Sequence, residues 1–320
     1  AHPIPDQIGL KAGQTVIAAL QRASAAQRPV LCLISGGGSA LLPAPIVGIS
    51  LQDKIDLNAL LLASGANIEV MNLIRQQLSL LKGGGMLCYA SPSPVTSLIL
   101  SDVIGDDLRV VASGLTVSPI GTRLQACSEL KALGLWGQTN AAVKTALERP
   151  EEIIDLPVTK NILIGSNVLS LVAMGKEIPE ATIHKMPLVG DVSQAAARVA
   201  AAGPGIHLFG GETTVRLTGT GRGGRNQELA LRVALLAEYQ NWQGRWLYLQ
   251  AGTDGRDGPT DAAGGVVCEA SVSAMSSVGI DPNQLLANND AYSALQAAKA
   301  LLITGGTGTN VADLGVLIRA

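Results

Sequence analysis

Pro29-Val30-Leu31-Cys32-Leu33-Ile34 runs directly into Ser35-Gly36-Gly37-Gly38-Ser39. A short apolar run bounded by turn residues predicts a buried parallel strand. Three consecutive glycines let the backbone turn sharply and approach a ligand closely. Amides in such a loop form an anion nest. No Gly-Lys-Ser/Thr follows, so the loop is not a P-loop.

The same arrangement recurs along the chain. A strand predicted at 95–100 ends in Ser101-Asp102, and one at 161–164 runs into Gly165-Ser166-Asn167. A strand at 206–209 leads to Gly210-Gly211-Glu212-Thr213-Thr214, with a hairpin-like continuation at 214–217. Strands at 245–250 and 301–303 lead into the loops that begin at Gly252 and Thr304, and 264–268 is a further short strand. Helices are predicted between them at 9–26, 50–64, 67–81, 122–133, 140–147, 192–202 and 226–239. Ser50 with Asp53 makes a near capping box, and Gly83-Gly84-Gly85 is a stop signal. Alternation of this kind defines an α/β protein. Ligands of open α/β sheets sit at the carboxyl ends of the strands, so the glycine loops point to a polyanion site, such as one for a nucleotide phosphate.

A chain of 320 residues predicts two domains. Gly203-Pro204-Gly205 marks the expected boundary, which separates residues 1–202 from 203–320. Apolar residues make up 47% and charged residues only 15%, against roughly 25% in an ordinary globular chain. That deficit predicts extensive burial, including a subunit interface such as that of a homodimer. The net charge of −2 gives no basic footprint for nucleic acid. With 2% aromatics the chain has few platforms for base stacking. Cys32, Cys88, Cys127 and Cys268 are scattered, which predicts reduced thiols and a cytoplasmic protein. No apolar run is long enough to span a membrane.

Several loops carry chemistry-bearing side chains. Arg222 and Arg225 lie in Gly221-Arg222-Gly223-Gly224-Arg225, where a guanidinium fork suits a carboxylate or a transferring phosphoryl group. The glycine spacing at 219–224 is wrong for a dinucleotide fingerprint. Asp254, Asp257 and Asp261 fall within eight residues of a Gly/Pro/Thr loop, a pattern able to hold magnesium or accept a proton. Asp102, Asp106 and Asp107 form a second acidic cluster after the 95–100 strand. Glu212 follows a strand directly, and Lys82 stands where it can reach phosphate. His184 and His207 have no ligand-spaced partners and read as structural or solvated.

Together these segments resemble the glycerate 2-kinase family of the type whose C-terminal part is called the MOFRL domain. The matching stretches are His2-Pro3-Ile4-Pro5-Asp6, Ile34 to Leu42, Ser101 to Asp107, Gly165-Ser166-Asn167, Gly210 to Thr214, Gly223 to Glu228, Gly252 to Asp261 and Thr307-Gly308-Thr309-Asn310-Val311. The resemblance implies a Rossmann-like α/β/α sandwich over 1–202 and an α/β MOFRL-type domain over 203–320, with the active site in the cleft between them. It implies ATP- and magnesium-dependent phosphorylation of D-glycerate, a small hydroxy acid, to 2-phosphoglycerate. In that reading Ser35, Gly36, Gly37, Gly38, Ser39, Lys82, Asp102, Thr307, Gly308, Thr309 and Asn310 bind the nucleotide. Arg225, Asp254, Asp257 and Glu212 act in catalysis, with Asp254 and Asp257 on magnesium.

The family also carries a leading segment with an active-site Lys in a Gly-Lys-Ala stretch, expected ahead of His2. The chain departs from the family's usual Pro at Gly305-Gly306-Thr307, at Ile104 and at Leu115. Some members bear the older label of hydroxypyruvate reductase, and some are linked to tartrate utilisation. An NAD(P)H-dependent hydroxypyruvate or tartronate semialdehyde reductase is the alternative reading, and a non-catalytic nucleotide-binding relative is a third.

Overall fold

The computed structural model describes residues 5–150, 156–157 and 159–320. His2, Pro3 and Ile4 of the first motif lie outside the described residues. The chain divides into two compact units, Ala1–Ile164 and Gly165–Ala320.

Local hydrogen-bond chemistry starts the helices of the first unit. The Asp6 carboxylate accepts from Gly9 N at 2.7 Å and opens α1 (Gln7–Ala25). After β1 (Val30–Ile34) and the single turn α2 (Gly38–Leu41), Ser50 and Asp53 cap each other reciprocally at the start of α3 (Leu51–Ala63). Such a box satisfies two of the otherwise orphaned amides of a helix start. Asn67 caps α4 (Ile68–Gln77) in the same manner. That helix ends short of the expected Leu81. Leu80 N donates to Ala44 O at 2.7 Å, a tertiary bond that turns the backbone out of the helix while burying Leu78 and Leu81. Gly84, at φ 81°, then opens α5 (Gly85–Ala90), so the glycines start a helix as well as ending one.

The strand β2 (Val95–Leu100) lies between β1 and β3 (Thr159–Gly165) in a three-stranded sheet. β1 and β2 are parallel, in register from Val30 opposite Val95 to Ile34 opposite Ile99. One face carries Cys32, Ile34, Val95 and Ile99 into a core with Leu20, Leu81, Leu87 and Ala90. Leu31 and Leu33 point the other way and are 64% and 75% exposed. β1 is therefore buried on one face only, where a continuous apolar run predicted burial on both. A second core joins α3 and α4 to α6 (Arg123–Ala132) and α7 (Ala141–Leu147) through Leu57, Leu61, Ile74, Leu130 and Leu147.

The second unit begins with α8 (Asn167–Glu177), β4 (Thr182–Ile183), β5 (Leu188–Asp191) and α9 (Val192–Ala200). β4 and β5 pair parallel to β6 (Gly205–Thr214). α9 shares one core with α10 (Arg225–Tyr239). By these contacts the two compact units divide at Ile164–Gly165, ahead of the domain boundary expected at Gly203. The Gly203-Pro204-Gly205 signal marks the turn between α9 and β6 inside the unit. The remaining elements are β7 (Trp246–Gly252), β8 (Gly264–Cys268), α11 (Ser271–Ser277), α12 (Pro282–Ala287), α13 (Ala291–Ala297), β9 (Leu301–Leu302) and β10 (Asp313–Arg319). The sheet order is β4-β6-β10-β7-β8-β9, with β5 also on β6. The last strand is thus central and antiparallel to both β6 and β7. Residues 214–217 do not continue the hairpin. The chain leaves β6, and Asn289 Oδ1 accepts from Thr218 N at 2.7 Å and Gly219 N at 2.9 Å.

Successive strand residues face opposite sides of a sheet. Phe209 packs with α9 and α10, so Gly210 faces the other side, where α8 lies. A Cβ on Gly210 would stand 1.9 Å from Asn167 Oδ1. Asn167, nearly buried, donates from Nδ2 to Val311 O and Asp313 O, both at 2.9 Å, and so ties α8 to the start of β10. Asn167→Ala leaves two carbonyls without this donor, and the expected loss is about 1–3 kcal/mol of unfolding free energy in denaturant titration. A change below a few tenths would show that the tie is not a structural one.

Candidate functional site

In the first unit the chemistry gathers where β1 and β2 end. These strands are adjacent and parallel, so the loops 35–39 and 101–107 leave the sheet at the same edge. A Cβ on Gly36 would lie 1.7 Å from Asp102 Oδ2, so only glycine lets the loop rest against that carboxylate. The predicted partners Gly36 and Asp102 are therefore brought together. Asp107 of the same cluster is held by Arg109 at 2.7 Å.

Lys82 reaches the glycine loop. Its Nζ donates to Ser39 Oγ at 2.7 Å. Ser39 Oγ lies 2.9 Å from Ser113 Oγ, and Ser113 donates to Asn72 Oδ1 at 2.7 Å, so the proton between the two serines comes from Ser39. Ser113 and its neighbour Ala112 have φ of 60° and 48°, a conformation that costs of order 1–3 kcal/mol at each non-glycine residue. Gln76 holds that turn by donating to Arg109 O and Ser113 O, while Ile120 N donates to its Oε1.

Two further cations stand beside Lys82, and no sequence signal singles them out. Lys54 on α3 donates to Leu78 O at 3.0 Å, and Arg75 on α4 donates to Asn58 Oδ1 from both Nε (3.0 Å) and Nη2. Lys54, Arg75 and Lys82 line one cavity of about 260 Å3 with Gly37, Ser39 and Asn58. Burial first, and the Arg75 charge second, pulls the Lys54 pKa down to about 8. Burial, then Lys54 and Arg75, pushes Lys82 well below the ordinary lysine range, and burial lowers Arg75 as well.

In the second unit the predicted residues meet where β6 and β7 end and β10 begins. Asp313 opposes Gly211 on β6 and Gly252 on β7. It accepts from Arg225 Nε at 2.6 Å and Nη2 at 3.0 Å, and Arg225 Nη1 lies 3.0 Å from Glu212 Oε1. Burial works against the Arg225 charge, but the bonded Asp313, with Glu212 and Asp257 adding to it, raises its pKa on balance. Arg225 and Glu212 are thus brought together, with Asp313 as the partner that sequence reasoning missed. Arg222, the other arginine of the loop, lies 4.3 Å over the Tyr292 ring.

Asp257 takes a role other than the expected one. It is 3% exposed and accepts from Asn226 N at 3.1 Å, Gln227 N at 2.8 Å and Gln227 Nε2 at 3.0 Å. Both oxygens are spent on the first turn of α10, which otherwise has no side-chain cap. Burial raises the Asp257 pKa while these bonds oppose the rise. The magnesium role expected of Asp257 gives way to this capping. Asp254 sits in the next loop, where its Oδ1 accepts from Arg256 N at 3.0 Å. Thr307 N donates to Asp254 O at 3.3 Å, and a Cβ on Gly255 would strike Gly305 O at 1.9 Å, so the 252–258 and 304–310 loops pack on each other. Thr309 and Asn310 are exposed there, with Asn310 Oδ1 accepting from Ala312 N. Among the described residues no group of three His, Cys, Asp or Glu side chains gathers to hold a metal. His184 and His207 bond each other and stack with Phe209. The four cysteines are unpaired, as expected. No helix among the described residues is long and apolar enough to cross a membrane.

The glycines of 219–224 are explained by packing. A Cβ on Gly219 or Gly221 would meet Asn288 O at 2.3 or 2.5 Å, and one on Gly224 would meet Asp257. Gly219 and Gly221 thus admit the turn between α12 and α13.

The two α/β units, one with a cationic pocket beside a glycine loop and one with a carboxylate–arginine cluster at its strand ends, offer the anion-binding chemistry that phosphoryl transfer uses. Residues 1–148 match the family model described as a domain of unknown function (DUF4147), and residues 205–313 match the MOFRL family. A glycerate kinase of Rattus norvegicus is 40% identical, over 98% of this chain and 72% of that protein. A D-glycerate 2-kinase of Thermotoga maritima is 39% identical, over 98% of this chain and 77% of that protein. The crystal structure of a Thermotoga maritima glycerate kinase superposes with a TM-score of 0.90 at 38% identity, covering all of this chain and 80% of that one. A Pyrococcus horikoshii structure gives 0.82 at 36% identity, covering 100% and 78%. The chain belongs to the glycerate 2-kinase family.

Two outcomes follow from the geometry. Arg225→Ala leaves the buried Asp313 carboxylate without its ion-pair partner and is expected to cost about 2–3 kcal/mol of stability, somewhat less than a fully buried pair because Arg225 is a third exposed. Arg225→Ala/Asp313→Ala is expected to recover part of that loss, and additive losses in denaturant melts would contradict the pairing. Lys54 binds its proton less tightly in the fold than in the unfolded chain, where the pKa is about 10.4. Between pH 8 and 10 the unfolded state therefore holds more protons, and its contribution to stability rises with pH. The difference in stability between wild type and Lys54→Met is expected to move in favour of the wild type over that window, and a constant difference would refute the assignment.

Proposed function

We propose that the protein transfers the γ-phosphoryl group of ATP to the 2-hydroxyl of D-glycerate, giving 2-phosphoglycerate and ADP. The observation that carries this reading is the identity of 36–40% with glycerate kinases across nearly the whole chain. The chemistry of the two clusters supports it. Phosphoryl transfer asks a protein for positioning and charge neutralisation more than for covalent chemistry. In the first unit the amides of Gly36 to Gly38 and the Lys82–Ser39 pair are donors suited to phosphate oxygens. In the second, Arg225 is held in a fixed orientation by Asp313 and Glu212, with its charge kept by those partners, and it is the candidate to orient an anionic substrate group. Asp254 is the remaining candidate to accept the hydroxyl proton.

Magnesium keeps most of its waters and is bound through one or two carboxylates plus substrate phosphates. An all-protein cage is therefore not required, and Asp254, in place of its role as proton acceptor, would hold the ion together with the nucleotide's own oxygens. The ion, when bound, neutralises charge on the transferring group. Thr307, Gly308, Thr309 and Asn310, packed beside Asp254, are the nucleotide-side candidates in this unit.

The test is a coupled assay of full-length protein with ATP, magnesium and D-glycerate, run beside NADH or NADPH with hydroxypyruvate. ADP release that depends on glycerate is expected, and oxidation of reduced nicotinamide without ADP release would overturn the reading. Measured at a temperature where all variants are folded, Arg225→Ala is expected to lower kcat/KM by roughly 10²-fold or more, in the range seen for loss of one charge-stabilising donor. Lys144→Ala, whose ammonium lies 5.8 Å over the Trp136 ring, is expected to stay within about twofold. Equal, small losses in both would remove Arg225 from the site.

A further inference from the structure

We propose that the 260 Å3 pocket formed by Lys54, Arg75, Lys82, Ser39 and Gly37 is a subsite for two linked phosphoryl groups. It deepens the kinase reading and rests on it in naming the nucleotide's terminal phosphates as the occupant. The first ground is charge. Three cationic groups come from three separate segments, α3, α4 and the turn after α4. Their hydrogen-bond partners are all neutral: Leu78 O, Asn58 Oδ1 and Ser39 Oγ. Lys82 is 5% exposed. Charges removed from water are paired in folded proteins, because an uncompensated one costs several kcal/mol. Among the described residues no carboxylate forms an ion pair with any of the three. A pocket built so that like charges face one another is complete only with an anion in it.

The second ground is the amount of charge. A phosphoryl group carries about −1.5 to −2 near neutral pH. Two linked groups balance three cations, whereas the single carboxylate of a hydroxy acid leaves about two positive charges uncompensated. Size agrees, since 260 Å3 lies below the roughly 300–1,000 Å3 of sites that take whole drug-sized ligands. It has room for a diphosphate but not for a nucleoside as well.

The third ground is the support beneath Lys82. The relay from Lys82 through Ser39 and Ser113 to Asn72, and the left-handed turn that Gln76 holds in place, fix the ammonium's position. Burial lowers the pKa of all three cations, repulsion lowers those of Lys54 and Lys82 further, and an anion between them offsets that repulsion.

The experiment is calorimetric titration of the full chain with inorganic pyrophosphate and, separately, with D-glycerate. Wild type, Lys54→Met and Arg75→Gln are compared. Both variants keep most of the side-chain stem and remove one repelling charge, so they are expected to melt no earlier than wild type without ligand. One pyrophosphate per chain is expected, with Kd raised at least 30-fold in each variant and glycerate binding changed less than threefold. No pyrophosphate binding to wild type, or equal binding in all three proteins, would overturn the subsite. So would loss of glycerate binding in place of pyrophosphate binding, which assigns the pocket to the substrate and leaves the kinase reading standing. Pyrophosphate binding that depends on Lys54 and Arg75 in a protein that transfers no phosphoryl group to glycerate supports the subsite and counts against the kinase reading.

Discussion

Three positive charges with no acid paired to them among the described residues are the constraint around which the first unit is arranged. Lys54, Arg75 and Lys82 repel one another in a medium that screens them poorly, and the fold holds them there by packing. α3 and α4 are fixed by the Leu57, Leu61 and Ile74 core, and each begins at a side-chain cap. The helix α4 is broken after Gln77 by the Leu80–Ala44 bond, which carries Lys82 back toward the glycine loop. Stability is given up locally so that an anion finds its charges already in place, as preorganised electrostatic sites require.

The second unit solves the opposite problem. Asp313 enters the middle of the sheet as a buried carboxylate, and Arg225 compensates it at the first residue of α10. Asp257 satisfies the next two amides of that helix. Glu212 adds a second acid on the outer side of the guanidinium. The arginine is fixed on two sides, and its planar fork keeps donors in a defined direction. The glycines near this cluster let loops close on one another: Gly224 admits Asp257, and Gly255 admits Gly305.

Much of the secondary structure was legible. Ser50 caps a helix as its spacing to Asp53 predicts, and the helices expected from Asn67, Thr122 and Asn140 and after Ser166 begin at those residues as caps, because a cap is a bond between residues three apart. β2 and β8 have the predicted bounds. What was missed depends on partners far away in the chain. β10 carries an Asp at its first position and a Gly at its third, and only pairing with β6 and β7 makes 313–319 a central strand. Residues 188–191 become a strand by lying along β6, and 214–217 lose that state because Asn289 draws the chain off.

The candidate site divides along the same line. The glycine loop, Lys82, Asp102, Arg225 and Glu212 carry local signals, since each sits in or beside a Gly-rich turn after an apolar run. By itself, the sequence determined that this is an α/β chain with glycine-rich loops at its strand ends, because periodicity, caps and turn chemistry act over a few residues, and its ordered motifs carry the resemblance to the glycerate 2-kinase family. Only the tertiary structure decided that Asp257 caps a helix, that Asp313 holds Arg225, and that Lys54 and Arg75 join Lys82. The physical reason is that desolvation and charge pairing depend on which segments converge, and convergence across tens of residues leaves no local pattern to read.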